Sequence, residues 1–513
     1  MMPKMKYVAA LLCAMSLSLS PVQAKLPDKV MDLSLTELRH ALDTKEFTAQ
    51  QLVEACLQRI AKHDKQGLAV HAVISLNDQA LAQAKAFDMH NDGHNPPLAG
   101  IPFLVKDNIN SKGLATTGGC LALSDNIPDK NAFALQLLLD QGAILLGKTN
   151  LSELAASYGR LGYSSVGGQT VNPYNQLRDA SGSSSGSAVA TALRFAPFAL
   201  GTDTSASIRA PASTTGTVGL RPSLGLISRS GVIPLSLTAD TVGVITKDVP
   251  DQAVVLDVLN QADPADAATL NLPRQAGVFE QAIKHASLQG KRIGVVTNFD
   301  HANAEIDALK QQAMQRLKDK GAVLVELKLP EIFNDLWSVV LGPVGDAEFT
   351  PQMNAYLSTL PPSSPHNYSE FMQLLRQRTH AGTYLINPGR YQALQAAATT
   401  TLTDGAQYID ILSNVIPGLR RMYQDLMDGK NLDALFFATM RCPPSVISTK
   451  SDPTYKCSAP DPYTPSYMAS ALGVPEISLP SGRDSQNLPI GMSFMGRFGQ
   501  DPALLGLAQA FMQ

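Results

Sequence analysis

Short apolar runs alternate with stretches of helical period along most of this chain, and that alternation confines it to a sheet with helices packed against its faces. Apolar strands are predicted at 73–76, 101–105, 143–146 and 198–200, and again at 291–297, 322–327, 432–437, 476–479 and 490–495. Helices are predicted at 81–89, 132–141, 187–195, 305–318, 368–379 and 391–428. Two helix starts carry capping boxes, Ser34 with Glu37 and Thr48 with Gln51. The second leads Leu52, Val53, Cys56, Leu57 and Ile60 onto one face. No repeat, low-complexity tract or clear linker divides the 513 residues, and α/β enzymes of this length fold as one unit often enough to make that the working expectation.

The chain is 17% charged with a net charge of −3, so it lacks the concentrated basic field that a nucleic-acid surface requires. Residues 1–24 read as a secretory signal. Lys4 and Lys6 give a positive start, an apolar stretch follows over 8–19, and Val22, Gln23 and Ala24 suit cleavage before Lys25. A stretch that short does not span a bilayer, so cleavage would leave no stable membrane anchor. The expected location is periplasmic or secreted, with a mature chain of 25–513. Four cysteines remain in that mature chain. An oxidising compartment permits bridges between them. Cys442 and Cys457 flank a loop rich in Pro, Ser and Thr, which a disulfide would pin. Cys56 falls on the apolar face of a helix and reads as a buried thiol. Neither the cysteines nor the nine histidines show metal-ligand spacing.

Two familiar patterns fail on their surroundings. Gly142, Gly147, Lys148 and Thr149 fit a phosphate loop, but the interior of that loop is Ala143, Ile144, Leu145 and Leu146, which is itself a buried strand after a helix. Gly182, Ser184 and Gly186 fit a nucleophile elbow. An elbow needs an apolar strand feeding the turn, and the residues upstream, 172–179, are polar and broken by Pro173.

Three other segments carry the chemistry. Lys106 ends the apolar strand that begins at Ile101, where burial would disfavour its charge and make it a base. Taken alone, a lysine there more often reaches solvent along its own stem. Residues 181–187 form a serine- and glycine-rich loop leading into a helix. Residues 201–209 place the small residues Thr204, Ser205 and Ala206 before Ser207, an arrangement that suits a nucleophile with main-chain donors beside it. Taken alone, each of these loops is also an ordinary turn.

Together these segments resemble the amidase signature family. The resemblance spans nearly the whole mature chain and takes in 100–107, 142–153, 181–187, 201–211, 218–231, 240–243, 473–480 and 488–491. Within the family, 181–242 is most similar to the bacterial peptide amidases. The resemblance implies a single α/β/α domain around a large, mixed, twisted sheet. It also implies a Ser–cisSer–Lys triad in which Ser207 is nucleophile, Ser183 the bridging serine with a cis peptide bond, and Lys106 the base. The main-chain N–H groups of Thr204, Ser205, Ala206 and Ser207 would form the oxyanion hole. Asp203 and Arg209 would hold the loop through a salt bridge, and Ser184 would orient the bridging serine or the acyl group.

The implied reaction is hydrolysis of a carboxylic amide, which includes the C-terminal amides of peptides. No cofactor or metal is implied. The implied partner is a small-molecule or peptide amide, with no nucleic acid, and the chain itself would be a monomer or homodimer. The chain departs from the usual Asp-x-Gly-Gly-Ser loop, with Ser205 and Ala206 at the glycine positions. Were either position left-handed, the side chain would cost about 1 kcal/mol or more. That departure motivates a second reading, a non-catalytic amide-binding protein on this scaffold, which turnover of a generic aryl amide would separate. The amidotransferase that makes glutaminyl-tRNA has a component sharing these motifs, but the signal segment and the absence of a basic tract tell against it.

Overall fold

A computed structural model describes residues 26–399 and 405–513; the signal-type segment 1–24 lies outside the described residues. In chain order the strands of the main sheet are β1 (Val73–Leu76), β2 (Pro102–Lys106), β3 (Ile144–Thr149), β4 (Phe198–Asp203), β5 (Val218–Arg221) and β6 (Thr241–Thr246), then β7 (Arg292–Val296), β8 (Val323–Leu327), β9 (Ala434–Ala438), β10 (Glu476–Arg483) and β11 (Pro489–Met495). They form one sheet of 11 strands in the order β1-β3-β2-β4-β6-β5-β10-β11-β9-β7-β8. β2 is parallel to both of its neighbours, β3 and β4, and β7 is parallel to β8 and β9. The other pairings are antiparallel, so the sheet is mixed.

Helices cover both faces, giving the expected α/β/α layering. In β9, Ala434 and Phe436 pack into one large apolar cluster, with Ala508 and Phe511 of the C-terminal helix Asp501–Met512. The intervening Leu435 and Phe437 enter a second cluster with Leu419 and Tyr423 of the helix Ile416–Gly429. Alternation along a strand puts successive side chains on opposite faces, so a strand apolar at every position is buried on both.

Both capping boxes form, with Glu37 N donating to Ser34 Oγ at 3.3 Å and Gln51 N to Thr48 Oγ1 at 3.1 Å. Other expectations are revised. β4 continues past Leu200 through Gly201, Thr202 and Asp203, which pair with β6 despite their polarity. β5 and β6 gave no apolar run because glycines interrupt them. A Cβ on Gly219 would lie 2.6 Å from Ala212 Cβ, and one on Gly243 would lie 2.3 Å from Leu220 O, so the missing side chains let a helix and a neighbouring strand approach. The single helix predicted over 391–428 is instead Pro388–Ala397, then Ala406–Asp410, a π-turn at Ile411–Val415, and Ile416–Gly429. Pro417 has no N–H and its ring displaces the carbonyl four residues earlier; the π-turn accommodates that by shifting the hydrogen-bond register.

Cys442 and Cys457 are joined by a disulfide with Cα atoms 5.4 Å apart. Cys56 and Cys120 are buried free thiols, and burial pushes Cys56 up to about 12. Among the described residues, no helix is long and apolar enough to cross a membrane.

Candidate active site

Parallel pairing of β2 with β4 brings Lys106 beside Thr202 at the end of the sheet. Two loops then close over these strand ends. One, 181–184, opens the helix Ser185–Ala192; the other, 204–208, opens the helix Arg209–Thr215. Main-chain bonds fix their approach: Ser184 N donates to Ser207 O at 3.0 Å, and Ser152 N to Ser183 O at 3.1 Å. The Gly182–Ser183 peptide bond is cis.

Lys106 is fully buried. Its Nζ donates to Ser183 Oγ at 2.7 Å, to Thr202 Oγ1 at 2.7 Å and to Thr202 O at 3.2 Å. Asn108 Nδ2 donates to the same Thr202 hydroxyl at 3.0 Å. Burial pulls the Lys106 ammonium down to about 7, partly opposed by the negative charges of Asp203 and Asp240. The side chain therefore does not snorkel, because the strand leaves it no route to water. Thr202 O can only accept, so it holds one amine proton; in the neutral amine the lone pair is free to face Ser183.

Asp203, Arg209, Arg221 and Glu476 form a fully buried, charge-balanced network beneath the second loop. Arg209 pairs with Asp203 at 2.8 Å and with Glu476 at 2.5 Å, and Arg221 pairs with Asp203 at 3.0 Å. Burial alone would raise the Asp203 carboxyl, but the two guanidiniums hold it well below the usual carboxylate range. Arg209 Nη2 also donates to Ser205 O at 2.8 Å, and Ile208 N donates to Asp203 Oδ2 at 2.9 Å. The loop is thus held at both ends by one carboxylate and one guanidinium. The main-chain N–H groups of Thr204, Ser205, Ala206 and Ser207 make no hydrogen bond among the described residues. Neither Ser205 nor Ala206 has a positive φ. Their side chains therefore carry no left-handed penalty.

These four residues, with Gly182 and Ser183, line a cavity of about 710 Å³. Its other walls are largely apolar and aromatic, including Leu161, Leu341, Trp337, Phe349, Tyr463 and Tyr467. Ser207 is 6% exposed and faces this space. Ser184 lies beneath, its Oγ donating to Thr202 O at 3.0 Å while accepting from Thr202 N at 3.3 Å. It is enclosed there, which is where an elbow nucleophile would not be. Lys148 is sealed in β3 against Asp107, Ser111 and Thr116, so the phosphate-loop pattern is a buried strand. Among the described residues, no group of His, Cys, Asp and Glu could hold a metal ion.

Sequence reasoning brought out Lys106, Ser183, Ser184, Asp203, Ser207 and Arg209 but missed Thr202, Asn108 and the roles of Arg221 and Glu476. Glu476 had a signal, a charged residue opening an apolar strand, whereas Arg221 ends a strand that hydropathy did not show. Thr202 and Asn108 had none.

A buried lysine in contact with a serine at the ends of two parallel strands, beside a partly open cavity and a loop whose N–H groups have no partner among the described residues, marks a candidate hydrolase site. The amidase family model matches residues 51–505, and the chain belongs to the amidase family. It is an enzyme that hydrolyses amides. It is similar to the native peptide amidase from Stenotrophomonas maltophilia, with 33% identity, a TM-score of 0.82, and 94% of this chain and 96% of that one covered. A probable amidase of Arabidopsis thaliana is 31% identical over 97% of this chain and 92% of its own length. A glutamyl-tRNA(Gln) amidotransferase component of Caldanaerobacter subterraneus subsp. tengcongensis is 30% identical over 94% of this chain and 96% of its own length.

The buried network makes one expectation direct. Arg209→Met removes the shared counter-ion of two buried carboxylates and should destabilise the protein by about 3–5 kcal/mol, as removal of one partner of a buried pair does. Chemical denaturation measures this; a loss under about 1 kcal/mol would mean that the network is not holding the loop.

Proposed function

We propose that the enzyme hydrolyses its amide through an acyl-enzyme on Ser207, with Ser183 and Lys106 as proton relay. The observation that carries this is the contact of a fully buried lysine with Ser183 Oγ at 2.7 Å. Neutral Lys106 accepts the Ser183 proton while Ser183 Oγ accepts that of Ser207. Ser207 Oγ adds to the amide carbonyl, and the oxyanion so formed is held by the free N–H groups of 204–207. Ser183 returns a proton to the nitrogen, the C–N bond breaks, and ammonia or an amine departs. Water then attacks the ester by the same relay run in reverse and releases the acid.

Peptide C-terminal amides are the substrates we favour. The similarity to the Stenotrophomonas peptide amidase supports this, as does an aromatic-walled cavity with room for side chains. We also place the enzyme in the periplasm or outside the cell. The signal-type segment 1–24 supports that, and a disulfide suits an oxidising compartment.

Three outcomes are expected. A fluorophosphonate labels Ser207, and Ser207→Ala abolishes the labelling; labelling that survives in the variant overturns the assignment. The pH profile of kcat/KM should rise through about 7 as Lys106 loses its proton, because the protonated form cannot act as base. An acid limb that is flat across that range counts against Lys106. The mass of the protein recovered from the periplasm of its expression host should begin at Lys25; a full-length cytoplasmic product would contradict export.

A further inference from the structure

Two charged residues line the cavity, Asp346 and Arg390, and they are differently placed. Asp346 is exposed. Arg390, in the helix Pro388–Ala397, is only 2% exposed. Ala393, Ala396 and Ala397 of the same helix line the same cavity, so the wall around Arg390 is built of small side chains.

The Arg390 fork is underused. Its one hydrogen bond among the described residues runs from Nη2 to Leu154 O at 3.3 Å. Nε is buried without an acceptor. No carboxylate among the described residues lies within ion-pair distance. Glu153 senses the charge from further off, and burial raises its carboxyl to about 7. The guanidinium is instead packed against the rings of Phe349, at 4.9 Å, and Tyr158, at 5.2 Å. Aromatic faces attract a cation but do not satisfy its N–H groups. A buried cation with open donors and no counter-ion is costly unless a ligand supplies the anion. The planar fork suits a carboxylate, which takes two parallel N–H bonds.

We propose that Arg390 is a specificity-determining residue that binds a carboxylate on the non-reacting part of the substrate, so that the enzyme prefers amides bearing an anionic group. This deepens the function proposed above and rests on the same cavity. Asp346 repels an anion at its own position and so favours the orientation that puts the carboxylate on Arg390. A peptide amide with an acidic side chain and a dicarboxylic monoamide both meet the requirement.

The test compares adipic acid monoamide with hexanamide, which has the same length and no carboxylate. Wild-type kcat/KM should favour the monoamide by about tenfold or more, chiefly through KM, as loss of a charge-assisted fork predicts. Arg390→Gln should erase the preference, and Arg390→Lys, which keeps the charge without the fork, should retain part of it. Binding is measured separately by calorimetry on Ser207→Ala, where the monoamide should bind more tightly than hexanamide and the added Arg390→Gln should remove the difference. Calorimetry does not depend on turnover, so it judges Arg390 even if the Ser207 mechanism fails. Equal treatment of the two amides by wild type, or a preference that persists in Arg390→Gln, overturns the proposal while leaving hexanamide turnover to report on the amidase reading.

Discussion

Everything at this site depends on keeping a lysine amine away from water. Lys106 is the last residue of a strand enclosed by parallel neighbours, and nothing beside it is a dedicated counter-ion. Asp203 is near enough to favour its charge, but that carboxylate is committed to Arg209 and Arg221. Lys148, equally buried one strand away, shows the alternative: it has Asp107 at 3.8 Å and polar oxygens around it, and it serves the sheet. The two lysines differ in what surrounds them. Desolvation lowers both, Lys106 to about 7 and Lys148 to about 8, and what sets Lys106 apart is its contact with Ser183 at the cavity, the contact on which its proposed role as base rests.

The buried charge network serves the same end from the other side. It fixes the loop at Asp203 and Ser205 O, and the N–H groups of 204–207, residues that line the cavity, are left without partners among the described residues. Donors held in place before charge develops need no reorganisation when it does. Two arginines and two acids are needed because each buried charge must be neutralised within the network. The same rule makes Arg390 stand out, because among the described residues no carboxylate lies within ion-pair distance of this buried guanidinium at the cavity.

Legibility in the sequence followed the strength of local patterns. Apolar strands such as 143–146 and 432–437 and the capping boxes at Ser34 and Thr48 were plain because one physical signal dominated each. β5 and β6 were hidden because their glycines serve close packing and carry no hydropathy. The π-turn before Pro417 was masked by the long amphipathic pattern around it. At the site, Lys106 alone suggested a solvent-reaching side chain; only the order of Lys106, Ser183 and Ser207 together gave the constellation meaning. The concern over Ser205 and Ala206 turned on a dihedral angle that sequence does not report, and their φ angles remove it. Thr202, Asn108 and Arg390 act through contacts across 94 residues or more, or through the absence of contacts, and neither is written in local sequence.

The proposed relay requires Lys106 to be neutral when it takes a proton. The direct measurement is a titration of the 13Cε resonance of Lys106 in the folded protein, assigned by its disappearance in Lys106→Arg. A midpoint near 7 is predicted. A midpoint near the ordinary lysine value of about 10.4 would leave Lys106 charged during catalysis and contradict the account.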